Sequence, residues 1–359
     1  MKISLTYDDI QLVPSFSKIE HRSSINLHSL ISRRYGILSP FVASPMDTVC
    51  ELDMAYMMFL MGGVGCVHRF MTIEEQVNQI KKLKEKIYSD GFRGLYEDWN
   101  ILDSNWHSEI QNVPIMAAIG VQEEDKERAR QLTNNGANIL LIDVAHGHHQ
   151  KVLDMIKWCK MHLNANTDII AGNIVTKEAA KDLENAGADG LRVGIGGGSL
   201  CTTRIKTGFG VPNVTALEDV ISVAKTPVIA DGGIRTSGDI AKALSLGSSS
   251  IMLGSLLAGT KESPGRIIEG ERGALYKRYR GSASLETKLS HNKEARNIEG
   301  ESEVIPFKGG TEFVLIGLID GIKSALSYNG ASNLNEFNPK YVIVTNSGIQ
   351  ESKPHLKLK

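Results

Sequence analysis

Eight short apolar runs, helix-period stretches between them and a glycine-rich loop after the sixth run predict an α/β fold, a (β/α)8 barrel of TIM type. The runs are FVAS (41–44), VGCVH (64–68), PIMAAI (114–119), ILLIDV (139–144), DIIAG (168–172), GLRVG (190–194), VIADG (228–232) and IMLGS (251–255). None alternates, as expected of strands buried on both faces. Between them, EEQVNQIKKLKEKI, EDKERARQLTNNG, TKEAAKDLENAG and TSGDIAKALSLG carry apolar residues at three- and four-residue spacing. Three of these stretches end in Gly136, Gly187 and Gly247, a common helix stop, and Thr176 and Thr236 suit N-caps. An open doubly wound sheet would carry its glycine fingerprint after the first strand, so the late position of GIGGG favours a closed barrel.

Composition agrees with a globular chain. Of 359 residues, 42% are hydrophobic and 23% charged, which argues against disorder, collagen and coiled coil. Lys+Arg number 40 and Asp+Glu 41, so bulk charge offers nucleic acid no general attraction. Cys50, Cys66, Cys159 and Cys201 form no C-x-x-C pair, which argues against a zinc ribbon or disulfide scaffold. The start, MKISLTYDDIQLVPSF, lacks a signal-peptide pattern, and no apolar run reaches the ~18 residues of a membrane span. The expectation is a soluble cytoplasmic protein with one barrel domain over residues 1–359. Residues 89–112, with Trp99 and Trp106, read as a short insertion or surface loop. The polar segment 279–310 reads as a flap, and the KPHLKLK tail as mobile.

Reactive groups of a barrel sit at the C-terminal ends of its strands. After the sixth run comes GIGGGSLCTTRIKTGFG (194–210), where glycines let backbone approach a ligand and Cys201 is flanked by Thr202, Thr203 and Arg204. A thiol among backbone N–H groups and cationic side chains is suited to nucleophilic attack, whereas the other three cysteines read as packing. The loops ADGGIRTSGD (230–239) and MLGSLLAG (252–259) close the last two strands, where barrels commonly hold phosphate; Gly233, Gly254 and Ser255 suit such a cradle. Asp231 suits a ribose diol. Asp143 and Asn173 point to the same mouth. His146, His148 and His149 are contiguous, a poor spacing for metal ligands.

These segments resemble the IMP dehydrogenase/GMP reductase family. The likeness rests on YDDIQLVP (7–14), SPMDTV (44–49), HRFMTIEEQ (68–76), DVAHGH (143–148), AGNIVT (171–176), GSLCTTR (198–204), ADGGIRTSGD (230–239), MLGS (252–255) and IQESKPH (349–355), in order along nearly the whole chain. The resemblance implies the barrel fold and a covalent purine adduct on Cys201. Within the family, GSAS (281–284), NIEG (297–300), IPFKG (305–309) and IKTGFG (205–210) resemble the reductases. The dehydrogenase flap carries an Arg-Tyr pair; here Arg296 is followed by Asn297. Only residues 89–112 occupy the place of the dehydrogenases' tandem CBS regulatory domain, so no such domain is expected. Leu285, where reductases have Glu, and the terminal IQESKPH look more like dehydrogenases.

The resemblance therefore implies an NADPH-dependent reductase converting GMP to IMP and ammonia. The alternatives are an IMP dehydrogenase without CBS domains and a silent nucleotide-binding paralogue. It assigns Cys201 as nucleophile; expelling ammonia needs a proton, and Thr203 with Glu286, one position past the reductases' Glu, are expected to handle it. Ser199, Gly233, Gly254, Ser255 and Tyr279 take the 5′-phosphate, Asp231 the ribose, and Ser44, Met46 and Gly281 the rest of the nucleotide. Asp143 and Asn173 fall on the nicotinamide side. Backbone carbonyls of Gly196, Gly198 and Cys201 form a candidate site for a monovalent cation, K+ among them. GMP and IMP are the implied small-molecule ligands, and a homotetramer the implied assembly.

Overall fold

The computed structural model describes residues 3–89, 113–284 and 298–351. Eight parallel strands close in chain order into a barrel: β1 (Phe41–Ala43), β2 (Val64–Val67), β3 (Met116–Ile119), β4 (Ile139–Asp143), β5 (Asp168–Ile174), β6 (Gly190–Val193), β7 (Val228–Asp231) and β8 (Ser250–Leu253). Each coincides with one of the eight apolar runs. The reason for their unbroken apolarity is visible in the packing. Val42, Met116, Ala118, Leu141, Ile170 and Ile229 fill the barrel interior, while their neighbours Phe41, Ala43, Ala117, Leu140, Ala171 and Ala230 pack outward against the helices. Ile31, Tyr35 and Ile37 join the interior cluster from the short hairpin before β1.

The surrounding helices are α1 (Leu52–Leu60), α2 (Ile73–Ser89), α3 (Glu123–Asn134), α4 (Gln150–His162), α5 (Lys177–Ala186), the short α6 (Thr203–Thr207), α7 (Asn213–Ile221), α8 (Ser237–Ser245) and α9 (Thr311–Asn329). The expected caps form: Thr176 accepts the Ala179 N–H and Thr236 the Asp239 N–H. Gly136, Gly187 and Gly247 all take positive φ. No helix among the described residues is long and apolar enough to cross a membrane.

Between β8 and α9 the chain builds a hairpin from β9 (Leu275–Arg280) and β10 (Ser302–Pro306), paired antiparallel. Part of the 279–310 range expected of a flap, residues 279–280 and 302–306, is therefore strand, with β10 largely in solvent. Residues 285–297, the KPHLKLK tail and all of the expected insertion except Ser89 lie outside the described residues.

Candidate functional site

A cavity of about 360 Å³ opens at the C-terminal ends of the strands. Side-chain parity along the strands dictates what enters it. Leu141 and Ile229 point into the barrel, so Asp143 and Asp231, two residues later, point into its mouth. Arg192 sits between Leu191 and Val193, which face outward, and therefore faces inward as well. The three meet as an ionic chain. Arg192 Nη1 lies 2.6 Å from Asp143 Oδ1, and Arg192 Nε lies 2.9 Å from Asp231 Oδ2. Burial opposes the charge of Arg192, but the Asp231 and Asp143 carboxylates more than offset it and hold the guanidinium above its ordinary pKa. Asn173 donates to Asp231 Oδ2 at 2.7 Å and to the Gly194 carbonyl at 2.6 Å. Arg69 donates to the Asp143 carbonyl at 3.1 Å.

The cysteine loop is built by glycine and then strapped. Gly194 has φ 142°, and a Cβ there would lie 1.9 Å from the Asp231 carbonyl oxygen, so only glycine lets the loop leave β6 beside β7. Arg204 ties the loop's two ends together, donating to the carbonyls of Ile195 at 3.0 Å and Val211 at 2.8 Å. Gly198 accepts the Cys201 N–H at 3.1 Å.

The thiol of Cys201 donates to Thr203 Oγ1 at 3.1 Å, and that hydroxyl donates to Glu299 Oε2 at 2.7 Å. Glu299 arrives there because its strand zips onto the cysteine loop. Thr202 N–H donates to the Glu299 carbonyl at 3.0 Å and Glu301 N–H to the Leu200 carbonyl at 3.1 Å. On the other side Glu299 N–H donates to the Ala283 carbonyl at 3.1 Å. Gly300, wedged between, would bring a Cβ within 3.1 Å of the Ser284 nitrogen. Thiol, hydroxyl and carboxylate thus form a continuous hydrogen-bonded chain.

Cys201, Thr203, Ser44, Met46, Ser199, Asp231, Gly233, Gly254, Ser255, Tyr279, Gly281, Asp143, Asn173, Gly196 and Gly198 all line the one cavity. Tyr279 and Ser199 share a hydrogen bond of 3.2 Å, and burial raises the Tyr279 pKa while Ser199 partly counters it. Glu286 lies outside the described residues. The sequence reading missed Glu299, Arg192 and Arg69. Arg192 had a signal, a charge inside the apolar run GLRVG. Glu299 had one too, in the quoted NIEG. Cys50, Cys66 and Cys159 are buried and do not line the cavity; burial pushes the Cys159 thiol up to about 12. His148 is bound to Asp182 at 2.9 Å, and among the described residues no group of three or more His, Cys, Asp or Glu could hold a metal.

Comparison with known proteins places this geometry. The IMP dehydrogenase / GMP reductase domain matches residues 4–355. The chain is 39% identical to inosine-5'-monophosphate dehydrogenase of Cryptosporidium parvum, over 98% of this chain and 94% of that protein. It is 31% identical to GMP reductase of Leishmania donovani, over 98% of this chain and 96% of that protein. Among solved structures, a cysteine-to-alanine variant of GMP reductase from Trypanosoma brucei, in complex with guanosine 5'-monophosphate, superposes with a TM-score of 0.88 at 30% identity, covering 99% of this chain and 98% of that one.

Proposed function

Since the chain belongs to the IMP dehydrogenase / GMP reductase domain family, we propose that it is a GMP reductase, converting GMP to IMP and ammonia through a covalent adduct on Cys201. The observation that carries the reading is the Cys201–Thr203–Glu299 relay. The thiol adds to C2 of the purine, and its proton passes through Thr203 to Glu299. The same carboxyl then returns a proton to the departing ammonia, a poor leaving group that needs one. This gives Glu299 the task that sequence reasoning gave Glu286.

The strand-end residues hold the substrate. Asp231 takes the ribose hydroxyls, both of its recorded bonds falling on Oδ2. Gly233, Gly254, Ser255, Ser199 and Tyr279 take the 5′-phosphate, with Ser44, Met46 and Gly281 beside the nucleotide. Asp143 and Asn173 offer carboxylate and amide oxygens to the nicotinamide half of a dinucleotide, a donor set that fits ribose hydroxyls and a carboxamide. NADPH, when bound, supplies the hydride that C2 of the adduct accepts. Gly196, Gly198 and Cys201 offer an all-oxygen set of carbonyls, which suits a hard monovalent cation such as K+. A cytoplasmic homotetramer is the assembly and location that accompany this reading.

The reductase is favoured over the dehydrogenase by the residues between Ser284 and Gly300. Those two positions are bridged to each other, and the short intervening sequence holds Arg296 without a following Tyr. Leu285 and the 39% identity to a dehydrogenase favour the second reading, oxidation of IMP with NAD+. Total chain length does not discriminate: a dehydrogenase relative aligns over 397 residues with 97% of its own length. Following nicotinamide absorbance separates the readings. Loss of NADPH signal with GMP is the expected result; a gain with IMP and NAD+ instead establishes the dehydrogenase.

A further inference from the structure

The turn that would meet the 5′-phosphate is held from behind by Lys308, and the turn after it by Lys277. After β8 the N–H groups of Leu257 and Ala258 both donate to the Gly254 carbonyl, at 3.1 and 2.9 Å, so residues 254–258 make a helical turn. In such a turn the first N–H groups point one way and the carbonyls the other. Gly254 and Ser255 line the cavity, which places the N–H end at the site.

The carbonyl end is capped by the β9–β10 hairpin and the residues just after it. Lys308 Nζ donates to the carbonyls of Ser255 at 2.5 Å and Leu256 at 3.3 Å, and the Lys308 N–H donates to the Gly259 carbonyl at 2.9 Å. Lys277 is 2% exposed, and its Nζ donates to the carbonyls of Thr260, Lys261 and Ser263. Tyr279 lies two residues beyond Lys277 on the same buried face of β9 and reaches the cavity. Lys308 is not among the cavity-lining residues, so its ammonium acts on the turn and not on the ligand.

We propose that Lys308 is a positioning residue for the 5′-phosphate. By holding the Ser255 carbonyl, whose peptide plane carries the Leu256 N–H on its opposite side, and the Leu256 carbonyl, it fixes the turn with its first N–H groups toward the phosphate oxygens. Lys277 anchors the hairpin to the next turn and keeps Lys308 in reach. This rests on the reading of the cavity as a purine nucleoside 5′-monophosphate site and adds the residue that shapes its phosphate end.

Calorimetric titration of GMP and of guanosine tests it, on the wild type and on Lys308→Met and Lys308→Arg. Lys308→Met is expected to lose about tenfold in GMP affinity, the scale of one charge-assisted hydrogen bond, with guanosine affinity unchanged. The loss persists at about 0.5 M salt, where attraction between separated charges is screened. Lys308→Arg, which can still donate to both carbonyls, restores most of it. Wild-type GMP affinity in Lys308→Met overturns the proposal, as does an equal loss for GMP and guanosine, or a loss that vanishes in high salt. A wild type that binds guanosine as tightly as GMP overturns the site reading itself, whatever the variants do.

Discussion

The cavity has two halves built by different means. Asp143, Arg192 and Asp231 stand on adjacent or nearby barrel strands, each hydrogen-bonded along both edges, and they are locked to one another by two ion pairs. Cys201, Thr203 and Glu299 stand on a glycine loop and a strand segment joined by a handful of backbone bonds. The strand half fixes charge where a ligand must be recognised. On the proposed reading, the loop half carries the groups that make and break bonds, on a part of the molecule with fewer restraints. Barrels separate these duties because strand ends are rigid while the connecting loops are free to vary.

Four substitutions break or sharpen this contrast. Cys201→Ala should reduce turnover to background while GMP still binds, because among the described residues no other thiol lines the cavity; mass spectrometry of quenched protein should then find no purine attached. Glu299→Gln should slow ammonia release by about 10²–10⁴-fold, the usual worth of a positioned acid–base group, with GMP affinity in calorimetry near that of the wild type. Undiminished release would remove Glu299 from the mechanism. On the strand half the effect moves to stability. Arg192→Met leaves two carboxylates without their shared counter-charge, and denaturant unfolding should show a cost of about 3–5 kcal/mol. A cost under about 1 kcal/mol would mean that water, and not Arg192, satisfies those groups. Smallest of all, Thr236→Ala removes only the α8 cap and should cost about 1 kcal/mol, leaving kcat unchanged.

The same contrast explains what could be read in advance. The strands were legible because a barrel strand buries both faces, and an unbroken run such as ILLID has few other uses. Asp143 and Asp231 were legible because each ends such a run. Arg192 was hidden by the apolar company of its strand, although parity places it inward as surely as its neighbours Leu191 and Val193 are placed outward. Glu299 was out of reach for a different reason. Its contact with Thr203 spans 96 positions, and local proximity to the GSAS motif drew attention to Glu286 instead. Only the backbone ladder, which depends on the close approach that Gly300 allows, reveals that Glu299 meets the Thr203 hydroxyl. The strands within the 279–310 range were not legible, because a solvent-facing strand and a loop share the same polar composition.

That ladder has a consequence for timing. The segment carrying the carboxylate and the loop carrying the sulfur are stitched by the bonds from Thr202 to Glu299 and from Glu301 to Leu200. Drawing the carboxylate away from the sulfur must unpick those stitches, so on the proposed reading the acid and the nucleophile are assembled or parted in a single event.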